Sequence, residues 1–144
     1  MNRENRYEHL GAPTSEGYVL AKDHFLERIV IMQERTVLHV TRLTNLWVEY
    51  PQGTHFYALK WLCHDRLQFF SEGYWGAMNP EGIVTIPAAF EFIIPYLSTG
   101  YFIVKDKLGK CGCVDKDFKM LYPCEYEYKE LRKKLSKDFY LFNR

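Results

Sequence analysis

Residues 73–87, GYWGAMNPEGIVTIP, recur without gaps 36 residues later as GKCGCVDKDFKMLYP, residues 109–123. Gly73 matches Gly109, Gly76 matches Gly112, Pro87 matches Pro123 and Glu91 matches Glu127. A chain with an internal period of this length builds from one supersecondary unit, which must stack or curl against its copies to bury an apolar face. The text inside the unit is strand, turn, strand. Asn79-Pro80-Glu81-Gly82 is a type I turn, with a capping Asn at i, a φ-presetting Pro at i+1 and Gly at i+3. Asp115 keeps only the first position of that turn. Gly76 sits in strand text between large rings, where a glycine marks a bulge or a close backbone approach. Pro87 and Pro123 lack an N–H and are expected at strand ends.

The pattern Trp75-Gly76, Asn79, the strand 83–87 ending in Pro87, then Phe90-Glu91 resembles the WG-repeat family. The second copy keeps Gly112, Asp115, Pro123 and Tyr126-Glu127, with Cys111 in the tryptophan slot. The resemblance spans roughly residues 73–131. It implies a repeated β architecture and a binding role, and it carries no catalytic motif.

The 144 residues are enough for one domain with a real core, and aromatic residues make up 17% of the chain. With 19 Lys+Arg against 18 Asp+Glu, electrostatic nucleic-acid binding is not expected. No apolar run reaches the length of a membrane span. The polar residues 1–16 read as an arm and not as a secretory signal, so the expected compartment is the cytoplasm and the four cysteines are expected as thiols.

GYVLAKD (17–23) is echoed by GYFIVKD (100–106), and more loosely by HFYALKW (55–61) and DFYLFNR (138–144). The expected organisation is an arm, 1–16, and one mainly β domain, 17–144, of three degenerate units (17–54, 55–99, 100–144). Antiparallel hairpins would curl into an array or barrel-like fold, with at most one short helix near the C-terminus. Residues 24–34 fit either a helix capped by Asp23 or a hairpin turning at 33–35. The β-branched run Ile29-Val30-Ile31 favours the hairpin. The segments 45–51 and 55–62 form a hairpin about Pro51-Gln52-Gly53-Thr54. Residues 62–71 read as an insertion in the unit, and 125–138 as a short helix with a basic end.

No P-loop, nucleotide fingerprint or catalytic triad is present. Cys111 and Cys113 occupy packing slots, no zinc-knuckle spacing occurs, and neither a metal nor another cofactor is expected. Glu91 and Glu127 are repeat-equivalent, which suits local hydrogen bonding better than an acid–base pair. The chain is therefore read as a non-enzymatic binding protein for a protein partner, of the kind that serves as an immunity or phage counter-defence inhibitor. The alternative is an aromatic-lined pocket for a nucleotide or sugar. Candidate binding residues are Trp75, Tyr74, Trp61, His64, Arg66, Phe69 and Tyr101. Exposed edge strands would also allow a homo-oligomer.

Overall fold

The computed structural model describes residues 5–49, 55–97 and 99–140. Four strands, β1 (Tyr7–His9), β2 (Tyr18–Asp23), β3 (Arg28–Gln33) and β4 (Thr36–Val40), form an antiparallel sheet in that order. β5 (Trp47–Glu49) and β6 (His55–Tyr57) pair as a two-stranded ribbon. A seven-stranded antiparallel meander follows: β7 (Leu59–Cys63), β8 (Arg66–Ser71), β9 (Tyr74–Met78), β10 (Val84–Pro95), β11 (Tyr101–Asp106), β12 (Cys111–Asp115) and β13 (Met120–Tyr126). The helix α1 (Tyr128–Tyr140) ends the described chain. The mainly β, repeated meander with a single C-terminal helix matches the sequence expectation.

One loop design recurs along the chain. Asn79, Asp106 and Asp115 each accept backbone N–H bonds through Oδ1 from residues i+2 and i+4. Residue i+3 then lies in the left-handed region: Gly82, Gly109 and Phe118. Glycine meets that demand without strain. Phe118 tolerates it because its ring packs on the core beside Phe90, 6.0 Å away. Asp23 works in a variant of this loop, accepting from the N–H groups of Phe25 and Leu26. It caps the β2–β3 turn and not a helix, and the hairpin expected to turn at 33–35 is the β3–β4 pair, with Gln33 opposite Thr36.

The pairing registers expose the repeat. Tyr101 faces Asp115 in β11–β12, and Tyr18 faces Gln33 in β2–β3, with every intervening pair in step. In the middle unit the strand lying before the glycine strand is β8, where Phe69 faces Gly76. Residues 62–71 are thus not an insertion. They supply the end of β7 and all of β8, a strand whose text, RLQFFS, had lost its resemblance to GYFIVKD. Residues 7–9 of the polar arm add an edge strand, with Tyr7 opposite Asp23.

Both repeat glycines exist for space. A Cβ on Gly76 would lie 2.6 Å from the Ile86 carbonyl oxygen and 2.8 Å from the Ala88 nitrogen. A Cβ on Gly112 would lie 2.7 Å from the Tyr122 oxygen and 2.8 Å from the Cys124 nitrogen. The residues being approached flank Pro87 and Pro123. Each unit therefore couples its glycine to the backbone on either side of its proline. The prolines lie inside β10 and β13, not at strand ends as expected. β10 pairs with β9 around Pro87 and meets β11 only from Phe90 onward, while β13 is a sheet edge, so neither missing N–H breaks a ladder.

The meander curls. Leu62 of β7 shares one core with Ala77, Ile86, Phe90, Ile93, Phe102, Val104 and Val114. β7 and β13 do not pair, so this is a curled open sheet and not a closed barrel. A second core joins the two large sheets, with Leu20, Ile29 and Ile31 against Leu59, Leu67 and Met78. The echo at 138–144 does not open another strand: residues 138–140 belong to α1, and 141–144 lie outside the described residues. Leu131, Leu135 and Phe139, four apart, make one helical stripe that packs against Ile103, Cys111 and Cys113.

Candidate functional site

Two places gather chemistry. The first is a cleft of about 680 Å³ between the four-stranded sheet and the β5–β7 segment. Its floor is Leu20, Ile29 and Leu59, and its rings are Trp47, Tyr57 and Trp61. Trp47 and Tyr57 face each other across the ribbon, with ring centroids 4.2 Å apart, and remain 54% and 44% exposed. Trp61 stacks on Tyr18 at 6.1 Å. The polar rim carries the Glu8–His24 pair, 2.8 Å apart, together with Lys60 and Lys22, whose ammonium donates to the Thr44 carbonyl. Concave, aromatic and sparsely polar linings of this volume are typical of ligand sites.

The second is an ionic clasp between hairpin tips some fifty residues apart. Lys116 Nζ donates to Asp65 Oδ2 at 2.9 Å, and Arg66 Nη2 donates to Asp117 Oδ1 at 2.8 Å. Arg66 also reaches the Lys116 carbonyl. The clasp ties the β7–β8 turn to the β12–β13 loop across the open seam of the meander. Burial opposes the charge on Asp65, but hydrogen bonds from Lys116 and Cys63 and the cations beside it hold its pKa below the usual carboxylate range. A carboxylate with a lowered folded-state pKa stabilises above its unfolded pKa and loses that contribution as pH falls through the folded value. The wild type is therefore expected to lose about 1–2 kcal/mol more than Asp65→Asn on acidification from neutrality through the lowered folded pKa of Asp65, read as urea midpoints at each pH.

The four thiols are held protonated by burial. Cys63 and Cys111 are shifted upward, Cys124 to about 11 and Cys113 to about 12. That is the environment of structural cysteines, since a thiolate nucleophile needs the opposite shift. Glu127 is drawn to Lys110 at 2.6 Å and Glu91 to Lys105 at 3.7 Å, so each repeat-equivalent glutamate holds a lysine nearby.

The residues singled out from the sequence do not converge. Trp61 lines the cleft. His64 and Arg66 flank Asp65 in the clasp. Trp75 makes edge contacts with Phe70 and Phe56, at 4.9 and 5.3 Å, and packs against the meander core. Phe69 lies over Gly76, its ring supporting the core between the sheets. Tyr74 is half-buried on β9, and Tyr101 lies under α1, 5.5 Å from Phe139. Trp47, Tyr57, Lys22 and Lys60 were missed. The hairpin expected about 51–54 pairs 50 with 55 and so sets Trp47 opposite Ala58, one residue away from the observed Trp47–Tyr57 register.

Among the described residues no helix is long and apolar enough to cross a membrane. No curated protein and no solved structure matches the chain. Residues 75–111 match the family model described as "WG containing repeat". That match runs from Trp75 in β9, through β10 and β11, to Cys111 at the start of β12, which is one full period of the meander. Residues 75–111 are thus similar to one WG-containing repeat, built as antiparallel strands with Asx-capped loops after β9 and β11.

Proposed function

We propose that this chain is a non-catalytic binding protein and that the cleft is its recognition site, taking an anchoring side chain of a protein partner between Trp47, Tyr57 and Trp61. The observation that carries this reading is the Trp47–Tyr57 pair, preformed at 4.2 Å yet about half exposed at the mouth of a concave apolar site. Tryptophan and tyrosine supply binding hot spots because they offer large, stiff contact area. An inhibitory role of the immunity or counter-defence kind would follow if the partner were a toxin or defence effector. The cleft volume also suits a small ligand stacked on the rings, which is the second reading.

A photo-crosslinking side chain placed at position 60 on the cleft rim, with the same group at position 133 on α1 as control, tests the proposal. The expected result is a discrete protein adduct from position 60 alone, reduced at least about tenfold by Trp61→Ala, as for loss of a hot spot. A co-purified small molecule displaced by Trp61→Ala favours the second reading. Identical labelling from both positions overturns the cleft as the site.

A further inference from the structure

We propose that Cys63, His64 and Asp65 of the β7–β8 turn, joined by Glu16 from the β1–β2 connection, form a structural zinc site. The sulfur of Cys63, a ring nitrogen of His64 and a carboxylate oxygen of Asp65 all lie within 4.8 Å of one another. Cys63 Sγ is 3.2 Å from Asp65 Oδ1, and His64 Nε2 is 3.7 Å from that same oxygen. Glu16 Oε1 approaches His64 Nε2 to 3.1 Å. Zinc bonds of about 2.0–2.3 Å in a tetrahedron place neighbouring donor atoms about 3.3–3.7 Å apart. These three separations, 3.1–3.7 Å, lie at or close to that spacing.

The orientation of Asp65 supports the assignment. Its Oδ2 is held by Lys116 at 2.9 Å and Arg66 at 3.3 Å, which leaves Oδ1 turned towards Cys63 and His64. Ligand carboxylates are commonly fixed in this way by a hydrogen bond to the oxygen facing away from the metal. The two cations also offset the negative charge of a thiolate and two carboxylates. One thiolate, one imidazole and carboxylate oxygens suit zinc better than calcium or magnesium, which take oxygen sets. Binding exchanges the Cys63 S–H bond for a Zn–S bond and releases the proton to water. The cysteine spacing along the chain carried no zinc pattern because three donors are consecutive and the fourth comes from another sheet. The ion would pin the β1–β2 connection to the clasp and so fix the two large sheets to each other.

The test uses the full chain, stripped with a chelator and titrated with zinc, and separately with cobalt as an optical reporter. One zinc per chain is expected, with a thiolate-to-cobalt charge-transfer band and tetrahedral ligand-field bands. At free zinc near 100 times Kd the apparent folding equilibrium constant should rise about 100-fold. Cys63→Ser should abolish the charge-transfer band. Glu16→Gln, a change at an exposed position, should weaken zinc at least about tenfold while leaving the apo protein folded. No saturable binding below about 1 mM, or unchanged affinity in either variant, overturns the site.

Discussion

Gly76→Ala is expected to destabilise the protein by about 3 kcal/mol or more, and Gly112→Ala by a similar amount, as read from urea midpoints. Neither glycine has a positive φ. In ordinary strand backbone the change from glycine to alanine would favour folding by about 0.5–1 kcal/mol, because glycine loses more chain entropy. Space reverses the sign. The new methyl would sit 2.6–2.8 Å from strand backbone in both units, and backbone paired in a sheet cannot step aside as a side chain can. Gly73→Ala is the control, because its Cβ would meet nothing within 4 Å and only its φ of 91° opposes the change. It should cost about 1 kcal/mol. Losses below about 1 kcal/mol at both Gly76 and Gly112 would show that the third strand of each unit can retreat, and the close approach would then not be what holds the repeat in shape.

Asp23→Ala is expected to cost about 3 kcal/mol. Asp23 is 1% exposed, and its carboxylate accepts a two-pronged bond from Arg6, at 3.0 and 3.1 Å, along with the N–H groups of Phe25 and Leu26. Removing it leaves two backbone donors without their acceptor and a guanidinium without its partner. Arg6 is 35% exposed, so water recovers part of that loss and the figure stays at the low end for broken buried pairs. Asp23→Asn keeps an acceptor for the turn and should cost roughly half as much. The pH signature has a definite sign. Burial works against the charge on Asp23, but the hydrogen bonds from Arg6, Leu26 and Phe25 outweigh it, and the folded pKa lies below the unfolded value. The contribution is complete above an ordinary aspartate pKa of about 3.9 and is lost as pH falls through the folded value. If wild type and Asp23→Ala lose stability in parallel over that range, the pair is not a stabilising one.

Local text was legible wherever residue chemistry fixes local geometry. Asn79 and Asp115 advertise their loops, and the run 28–40 advertises its hairpin, while the same loop at Asp106 went unread. The repeat itself was readable because its glycines and prolines answer to one contact made twice. Misreadings came where tertiary context decides. RLQFFS carries none of the unit's punctuation, so only pairing with β9 shows that it is the unit's opening strand. Residues 138–140 read as strand by composition, yet Phe139 completes a helical stripe with Leu131 and Leu135. Pro87 is a strand breaker in general, but here it lies where β10 has a partner on one side only. The cleft and the clasp are assembled from residues up to fifty apart, and neither could be seen before the meander curled.

The pairing of glycine with the backbone around proline has a genetic corollary. Gly76 to Pro87 and Gly112 to Pro123 span the same number of residues, although the turns between them differ in composition. A codon gained or lost in the strand text between the two would move the proline segment off the glycine and flip the following side chains of that strand to the opposite face of the sheet. Length variation should therefore collect outside these intervals. In the first sheet Val30 stands in the glycine slot, opposite Ala21. A valine there makes no such glycine contact, so the length rule does not extend to that copy.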